Sequence, residues 1–551
     1  MGQLEMLQKT FYIKSRGNDL AASIFLPDSG LRGLMLVALP FVEERKAVLP
    51  PVVEASRLFA ERCGLAVLRV DYAGTGDSAG VFADFSVADW QEDLSSAARW
   101  LHALAPSLPL ICLGIRTGAL LLSASEDSDI RSATKIFWDP VGGLEVIRQW
   151  LQRHMVNDMI AYGKARVSRA SMEADLKAGK VVDLDGFALT GRHFADFSGL
   201  AFSAPAGKAL FVASGRLSAE AAKVAEAAGA QVEQLKAPPY WNSVGYLETV
   251  EMRELTAGWI EANFDLPAPV SVALPDLVCE SAAGEKCVEI KSGEGIVRGI
   301  LSLPSGEIRK TVLFLGGWSG DRQGPHRLFL EYARLLAGDG VAALRIDYRG
   351  RGESDGGHHD AGITTMADDA QAAVQWLKEN GFAPHGVEVT AICSGCKVAI
   401  TLASRVEIPH IKLLSAEAMG SLRAKDTNAV KTLSALKAYA RKLLKKETWR
   451  KIFKGEVRTD MVGKALVKHE TRSADEAKAE DATLAIFRKF GGTLSFVYGG
   501  SDPDAPGAKA GYEKFCRKNA IKATFVVIPH AGHSYYALDW TRQLLDSLRA
   551  N

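Results

Sequence analysis

The sequence has no apolar run close to the roughly 20 residues that cross a bilayer. Its opening also lacks the charged-then-apolar order of a secretion signal. Charge is nearly balanced, with 66 Lys and Arg against 65 Asp and Glu and a net charge of +1. Such a balance provides no bulk charge for binding nucleic acid or a membrane surface. We therefore expect a cytoplasmic protein without a transmembrane segment or a nucleic-acid partner.

Cysteine is scarce and unevenly placed. The seven cysteines are an odd number, they are scattered through 551 residues, and several lie in apolar, strand-like runs. Disulfide frameworks in secreted proteins show closer and even-numbered spacing. The pattern predicts reduced, buried thiols, in agreement with a cytoplasmic location.

The chain repeats itself over a domain-sized period. The stretch "GLAVLRVDYAGTGDSAG" (64–80) is matched by "GVAALRIDYRGRGESDG" (340–356), with Asp71 aligned to Asp347. We interpret this repeated motif, including Asp347 and Arg349, as structural, because it is present in both copies. A length near 550 residues also exceeds what one hydrophobic core supports.

Each copy alternates apolar Val/Ile/Leu runs with amphipathic helical stretches such as 366–381. This alternation is typical of a parallel sheet covered on both faces. The predicted fold is α/β, with two tandem domains, each a mostly parallel sheet flanked by helices and carrying a helical cap insertion; the elbow motif described below identifies them as α/β-hydrolase domains. The proline-containing stretch 264–285 predicts a linker, which gives domains at 1–268 and 269–551.

A strand-to-helix turn in the second copy carries the first candidate for chemistry. In "VTAICSGCKVAI" an apolar strand runs into Ala391-Ile392-Cys393-Ser394-Gly395. A nucleophile elbow needs small residues two before and two after the nucleophile, and this register selects Cys393. The following helix directs free N–H groups at the sulfur and favours its thiolate. A small, inert cysteine that merely fits the turn is the alternative.

The partners of a thiolate follow in the chain order usual for this fold. Asp502 comes after the strand in "LSFVYGGSDPDAP", and His533 lies in the loop after "ATFVVIPHAGHSYY". Both follow strand ends, where open parallel sheets place ligand sites. We therefore predict a Cys393–His533–Asp502 triad, with His533 preferred to His530 and with Asp504 and Glu417 as substitute acids.

The same turn predicts an oxyanion hole. One donor is the N–H of Ser394, the residue after the nucleophile. A second N–H comes from the turn "LGGWSG", with Trp318 the expected donor and Gly317 beside it.

Two other motifs carry little weight. Cys393 and Cys396 form a C-x-x-C spacing, but the surrounding repeat does not resemble a redox unit. His358, His359 and Asp360 share a Gly-rich loop, which is weak evidence for a metal site. We predict no metal and no other cofactor.

The first copy lacks the chemical groups of the second. Its elbow places Arg116 in the nucleophile position, while Leu217 stands opposite Asp502 and Trp241 opposite His533. The first copy is therefore predicted to be a pseudo-hydrolase. Arg116 is interpreted as a salt-bridged packing residue, with carboxylate or phosphate binding as the alternative.

A basic cap is predicted over the second site, at about 417–490. Residues 421–474 hold 15 Lys or Arg against 5 Asp or Glu. The helix predicted within it has an apolar face formed by Leu433, Leu436, Ala440, Leu443 and Leu444. Such a cap suits an anionic carrier of acyl groups, such as coenzyme A, phosphopantetheine or an acidic acyl carrier protein. An anionic membrane surface and an ordinary solvated helix face are the alternatives.

The motifs resemble a pair of families. The first half is similar to the exosortase A system-associated hydrolase 2 group in "ALPFVEERKAVLPPVV", "GIRTGALLL", "FWDPVGG" and "APPYWNS". The second half resembles the hydrolase 1 group of the same system in "IDYRGRGES", the cysteine elbow and "YARKLLKKETWRKIFKGEV". The resemblance implies bacterial hydrolases linked with exopolysaccharide and acyl-activation systems.

Together these features predict a cysteine-nucleophile acyl hydrolase that cleaves esters or thioesters through an acyl-thioester intermediate. Because thioesters react readily with amines, thiols and alcohols, an acyltransferase is the alternative enzyme. A non-catalytic scaffold that binds an acyl group or its carrier is the alternative of another class. An oligomer is compatible with the sequence.

Overall fold

The computed structural model describes residues 6–162, 164–243, 245–264, 266–423 and 474–550. The predicted apolar face of the cap helix, and most of the basic cap, fall in 424–473 and lie outside the described residues. Within the described parts of the chain, no helix is long and apolar enough to cross a membrane.

The N-terminal half contains one mostly parallel sheet and a separate hairpin. Its strands are β1 (Leu7–Ser15), β2 (Asn18–Leu26), β3 (Gly33–Ala38), β4 (Leu65–Val70), β5 (Leu110–Ile115), β6 (Thr134–Trp138), β7 (Val182–Leu184), β8 (Phe187–Leu189), β9 (Ala209–Ala213) and β10 (Gln231–Gln234). Its helices are α1 (Val42–Cys63), α2 (Val87–Leu104), α3 (Thr117–Ser123), α4 (Ser128–Ser132), α5 (Gly143–Tyr162), α6 (Arg169–Lys177), α7 (Gly191–Gly199), α8 (Ala219–Ala227) and α9 (Val250–Asn263), with 3-10 turns at Phe82–Asp84 and Tyr240–Asn242.

The C-terminal half is built in the same way. Its strands are β11 (Glu285–Ser292), β12 (Gly295–Ser302), β13 (Lys310–Leu315), β14 (Val341–Ile346), β15 (Glu388–Ile392), β16 (His410–Leu414), β17 (Thr493–Gly499) and β18 (Lys522–Ile528). Its described helices are α10 (Leu328–Gly338), α11 (Ile363–Glu379), α12 (Gly395–Ala403), α13 (Ala474–Phe487), α14 (Ala505–Lys518) and α15 (Leu538–Ala550), with 3-10 turns at Pro325–Arg327, His358–Asp360 and Gly420–Leu422.

The two sheets share one strand order. The N-terminal sheet runs β1-β2-β4-β3-β5-β6-β9-β10, and the C-terminal sheet runs β11-β12-β14-β13-β15-β16-β17-β18. In each sheet the second strand is antiparallel to both of its neighbours: β2 to β1 and β4, and β12 to β11 and β14. The remaining neighbouring strands pair parallel. Every residue of β3 and β4 is buried, as expected for central strands covered on both faces. The predicted fold class is confirmed: two mostly parallel sheets flanked by helices.

The chain between strands β6 and β9 forms the cap of the N-terminal half. The cap comprises α5, α6, the β7–β8 hairpin and α7. In the C-terminal half the corresponding interval, between β16 and β17, ends with α13. The predicted domain boundary after residue 268 falls between α9 and β11, where Val270 pairs with Leu31 of the N-terminal half.

The two halves meet through buried ion pairs contributed by the repeated motif. Arg345 Nη1 donates to Asp77 Oδ1 at 2.6 Å, and Arg322 Nε donates to Asp77 Oδ2 at 2.9 Å. Asp77 is fully buried. In the opposite direction, Arg69 of the N-terminal half pairs with Glu353 of the C-terminal half. Because Arg69 and Arg345 occupy equivalent strand positions, each half inserts an acid of its own loop against the arginine of the other.

Hydrogen bonds from arginine side chains to backbone carbonyl oxygens also form in both directions between the halves. Arg57 Nη2 donates to the carbonyl oxygen of Ser354 at 2.9 Å, and Arg334 Nη2 donates to that of Ser78 at 3.2 Å. The serines occupy matching positions in the two copies of the motif. The interface is therefore related to itself by an approximate two-fold axis, as in a symmetric dimer.

Candidate active site

Cys393 stands at a strained backbone turn between β15 and α12. Its φ is +57°, a conformation that non-glycine residues rarely adopt and that accumulates at functional sites. Its N–H donates to the carbonyl oxygen of Leu414 at 2.9 Å, which ties the turn to the neighbouring strand β16. A Cβ on Gly395 would lie 2.3 Å from the carbonyl oxygen of Leu315. Glycine is required there because the helix passes so close to strand β13.

His533 and Asp502 are brought together from two loops. Asp502 follows β17, His533 follows β18, and His533 Nδ1 lies 2.7 Å from Asp502 Oδ2. Asp502 is buried and also accepts a hydrogen bond from the Asp504 N–H at 3.0 Å. The carbonyl oxygen of His533 accepts a hydrogen bond from Ser415 Oγ at 2.6 Å, which fixes the loop. The alternative histidine, His530, is exposed.

The ring of His533 faces Cys393 and is favoured in its charged form. Burial works against protonation, but the hydrogen bond with Asp502 and the adjacent Cys393 side chain outweigh burial and raise the pKa of His533 to about 10. A protonated imidazole beside sulfur stabilises a thiolate. The catalytic roles of Cys393, His533 and Asp502 stay predictions.

The expected oxyanion turn lies against the elbow, with one departure. A Cβ on Gly317 would lie 3.5 Å from Cys393 Cβ, so the turn passes directly over the candidate nucleophile. The N–H of Trp318 donates to Ser394 Oγ at 2.8 Å. The N–H groups of Gly317 and Ser394 donate to no acceptor among the described residues. Of the three predicted donors, Gly317 and Ser394 therefore have N–H groups without an acceptor in the described chain, whereas the Trp318 N–H is occupied.

Glu417, which the sequence suggested only as a substitute for Asp502, places a carboxylate next to the Cys393 sulfur. Glu417 Oε1 lies 3.9 Å from Cys393 Sγ, and Lys397 Nζ lies 2.7 Å from Glu417 Oε2. Burial raises the pKa of Glu417, but Lys397 and His533 outweigh it and hold the pKa below its usual value. The sequence provided no signal for the Lys397 contact, because the two residues lie on different elements.

The second cysteine of the C-x-x-C spacing points away from the site. Cys396 is fully buried, and its Sγ lies 3.4 Å from the carbonyl oxygens of Ala391 and Leu414. Burial raises the pKa of Cys396 well above its usual value. All seven cysteines are free. Cys396 is therefore a packing residue and a matched control for Cys393.

The two histidines of the candidate metal loop contact other side chains. His358 stacks on Tyr246 with ring centroids 4.2 Å apart, and Arg351 Nη1 donates to His358 Nδ1 at 3.0 Å. His359 Nε2 lies 3.1 Å from Glu248 Oε1. In the described parts of the chain, no group of three or more His, Cys, Asp or Glu side chains is arranged to hold a metal ion.

In the N-terminal half the equivalent turn has the same backbone geometry, with arginine in the position of Cys393. Arg116 has a φ of +55°, almost the same as Cys393. It is 3% exposed, pairs with Glu44 at 3.1 Å, and contacts Gln149. The Arg116 guanidinium also lies 3.7 Å from the ring centroid of Trp241. Arg116 and Trp241, in the nucleophile and histidine positions, thus pack together. Leu217, in the position of the acid, is buried.

Cys393 opens into a cavity of about 770 Å³. The lining residues of the C-terminal half include the turn Gly316–Asp321, His533 and Tyr536. Lys46, from the first turns of α1, lines the same cavity from the N-terminal half. The candidate site is therefore shared between the halves, which the sequence did not indicate.

This geometry agrees with the comparison with known families. Residues 312–545 match the model of the alpha/beta hydrolase family, so an α/β-hydrolase domain occupies most of the C-terminal half. A search of curated proteins found no match.

Solved structures similar to this chain include three hydrolases and esterases. A dienelactone hydrolase from Anabaena variabilis is 16% identical, with a TM-score of 0.33, over 48% of this chain and 95% of its own. Est1E from Butyrivibrio proteoclasticus, with bound ferulic acid, is 18% identical, with a TM-score of 0.33, over 48% and 98%. The esterase Pf2001 from Pyrococcus furiosus is 19% identical, with a TM-score of 0.35, over 49% and 89%.

Proposed function

We propose that the C-terminal half is a cysteine-dependent acyl hydrolase that cleaves esters or thioesters through an acyl group on Cys393. The observation that carries the proposal is the placement of Cys393 at a strained strand-to-helix turn, beside a His533 ring held by Asp502 at 2.7 Å. Nucleophile, base and orienting acid are the set that covalent acyl transfer requires.

In the acylation step the Cys393 thiolate attacks the substrate carbonyl carbon, and a carbon–sulfur bond forms. The carbonyl oxygen becomes an oxyanion, which the N–H groups of Gly317 and Ser394 stabilise by a few kcal/mol, about 3–4. The bond to the leaving group then breaks, and the His533 imidazolium gives its proton to the departing oxygen or sulfur. The product is a thioester on Cys393.

In the deacylation step His533 acts as a base on water. The charge of the Cys393 sulfur is one of the causes that raise the pKa of His533. Acylation removes that charge, so the pKa of His533 falls and the neutral imidazole becomes able to accept a proton from water. Water attacks the thioester, the carboxylic acid leaves, and the thiolate is restored. An amine, thiol or alcohol in place of water makes the enzyme an acyltransferase.

We further propose that the N-terminal half, residues 1–268, is a pseudo-hydrolase and that 269–551 is the catalytic domain. The buried Arg116–Glu44 pair in the nucleophile position of the first half supports this assignment. The relationship to the exosortase-associated hydrolase groups, an acyl substrate on coenzyme A or an acyl carrier protein, and a cytoplasmic location are further parts of the proposal.

Intact-protein mass spectrometry after mixing with p-nitrophenyl acetate tests the proposal. We expect one acetyl adduct in the wild-type protein, no adduct in Cys393→Ala, and an undiminished adduct in the matched control Cys396→Ala. Loss of the adduct over time, with acetate formed, indicates hydrolysis, and faster loss with an added amine or alcohol indicates transfer. Equal labelling of wild type and Cys393→Ala, without turnover, would instead identify a non-catalytic scaffold.

A further inference from the structure

A second cavity, of about 390 Å³, lies between the two halves and adjoins the site of Cys393. The N-terminal half lines it with the beginning of α1 and the cap helix α5, and the C-terminal half with the loops around Ser319 and Ser534. Lys46, Asp321, His533 and Tyr536 line both this cavity and the one that contains Cys393. We call this space the inter-half cavity. A substrate bound at Cys393 can therefore extend into it.

The inter-half cavity is lined by cations that lack carboxylate partners. No carboxylate oxygen of the described residues lies within 4.0 Å of Lys46 Nζ. Arg153 Nη1 on α5 is buried and donates to no acceptor in the described chain. Arg351 is 3% exposed, and its Nη2 likewise has no acceptor among the described residues. Buried donors without acceptors are costly and are usually satisfied by a ligand or water.

The lining carboxylates are mostly committed to other partners. Asp158 Oδ1 accepts from Arg166 Nε at 2.9 Å. Asp185 accepts from Asn157 at 2.7 Å and lies 2.7 Å from the ring of His154.

The two remaining lining acids are Asp321 and Glu43. Asp321 lies 3.6 Å from Arg45, and burial raises the pKa of Asp321 to about 6. Glu43 faces the cavity without an ion pair in the described residues. In the described chain, Lys46, Arg153 and Arg351 thus line the cavity without an ion pair, whereas three of the four lining carboxylates have one.

Lys46 keeps its charge in this setting. Burial lowers its pKa, but Tyr536, Glu43, Asp321 and Cys393 outweigh burial and hold the pKa of Lys46 above its usual range. An ammonium group close to Cys393 and without its own ion pair is suited to attract an anionic part of a substrate.

We propose that the inter-half cavity binds an oxyanion group of the acyl substrate, a carboxylate or a phosphate, through Lys46 and Arg153 of the N-terminal half. The inference rests on the proposed function of Cys393 and adds a substrate class to it. It also gives the half without catalytic groups a part in substrate selection. The anion has two possible sources: the far end of the acyl chain, or the phosphates of a carrier that leaves.

Two pairs of substrates that differ in charge distinguish these sources. Mono-p-nitrophenyl glutarate and its methyl ester differ by a carboxylate on the acyl chain. Butyryl-coenzyme A and butyryl-N-acetylcysteamine differ by the phosphates of the leaving group. We expect wild type to favour the charged member of one pair in kcat/KM. Lys46→Gln and, independently, Arg153→Gln should reduce that preference about 10-fold to 100-fold, mainly through KM, as for loss of one charged hydrogen bond.

Lys46→Arg should restore much of the preference, because it keeps the charge. The matched control is Lys223→Gln, which removes an exposed lysine of α8 that does not line this cavity and should leave the preference unchanged. Thermal unfolding of each variant separates a lost subsite from a lost fold. The same ratio in wild type, Lys46→Gln and Arg153→Gln, for both substrate pairs, would overturn the proposal.

Binding without turnover separates this inference from the function of Cys393. Calorimetry with glutarate and with coenzyme A itself should show weaker binding of one of them by Lys46→Gln, again by about 10-fold to 100-fold. If wild type forms no acyl adduct but this difference is present, the proposed function fails and the anion site stands. If the adduct forms with neutral esters but neither anion binds more weakly to the variant, the anion site fails and the proposed function stands.

Discussion

Asp77 offers a test of how firmly the two halves are joined. It belongs to the N-terminal half, is fully buried, and accepts hydrogen bonds from Arg322, Arg345 and Gln323 of the C-terminal half. Asp77→Asn keeps the shape of the side chain and removes its charge. Two guanidinium groups at the interface then lose a shared carboxylate.

The size of the effect follows from what each arginine retains. Removing one partner of a buried ion pair typically costs about 3–5 kcal/mol. Arg322 keeps Asp347 at 2.6 Å, and Arg345 keeps Glu285 at 3.2 Å. Because both arginines keep one carboxylate, we expect the lower end of that range, about 3 kcal/mol, in the free energy of unfolding.

Urea unfolding followed by tryptophan fluorescence measures this loss. The control is Glu92→Gln, because Glu92 pairs with Arg99 on the surface, where the two side chains are 45% and 56% exposed. Such exposed pairs contribute about 0.2–1 kcal/mol. A loss in Asp77→Asn no larger than in this control would refute the reasoning.

The pH dependence adds a second check on the same residue. Burial raises the pKa of Asp77, but Arg322 and Arg345 outweigh burial and hold the pKa well below the usual 3.8. A lowered pKa in the folded state contributes stability that is present above pH 3.8 and is lost as the pH falls. The difference between wild type and Asp77→Asn should therefore be largest at neutral pH and shrink in acid.

Three further outcomes follow from the structure. Gly395→Ala puts a Cβ against a strand carbonyl oxygen, so we expect a lower melting temperature and loss of thiol acylation. The control Gly207→Ala should change neither, because no described atom lies within 4 Å of the added Cβ. The raised pKa of His533 contributes stability that is present below pH 6.5 and is lost as the pH rises through about 10. Across that interval the melting temperature of wild type should therefore fall more than that of His533→Gln. Arg116→Met leaves Glu44 buried without its partner and should lower the free energy of unfolding by about 3 kcal/mol in urea titration, while p-nitrophenyl ester hydrolysis is unchanged.

Local steric rules in the sequence predicted the geometry of the elbow. Small residues two before and two after the turn residue select Cys393 in preference to Ser394, because Ile392 would be too bulky two positions before Ser394. The close approach of Gly395 to β13 shows why the later position must be small. Chain order predicted the loops of Asp502 and His533, because strand ends of a parallel sheet share one edge. Their hydrogen bond is found in the structure, while the catalytic roles await the acylation test.

Contacts between elements that are far apart in the chain could not be predicted from the sequence. The hydrogen bond from the Trp318 N–H to Ser394 Oγ depends on a side-chain rotamer, and the pairing of Lys397 with Glu417 depends on how a helix meets a strand end. Lys46 carried no signal at all, because it reaches the site only when the two halves pack. Such placements depend on tertiary packing, which no local pattern encodes.

The interface also explains why the motif "DYxGxGxS" is present in both copies although chemistry is predicted in one. Asp77 and Glu353 occupy the same place in the two motifs, and each meets an arginine of the other half. Asp71 and Asp347, at the start of the motifs, each bind an arginine of their own half, Arg45 and Arg322. Both copies of the motif thus build one symmetric interface, whereas the predicted nucleophile, Cys393, is present in one half only. If this is its role, exchanging charges across the interface by combining Asp77→Arg with Arg345→Asp should recover part of the stability that either change alone removes, whereas independent effects would simply add.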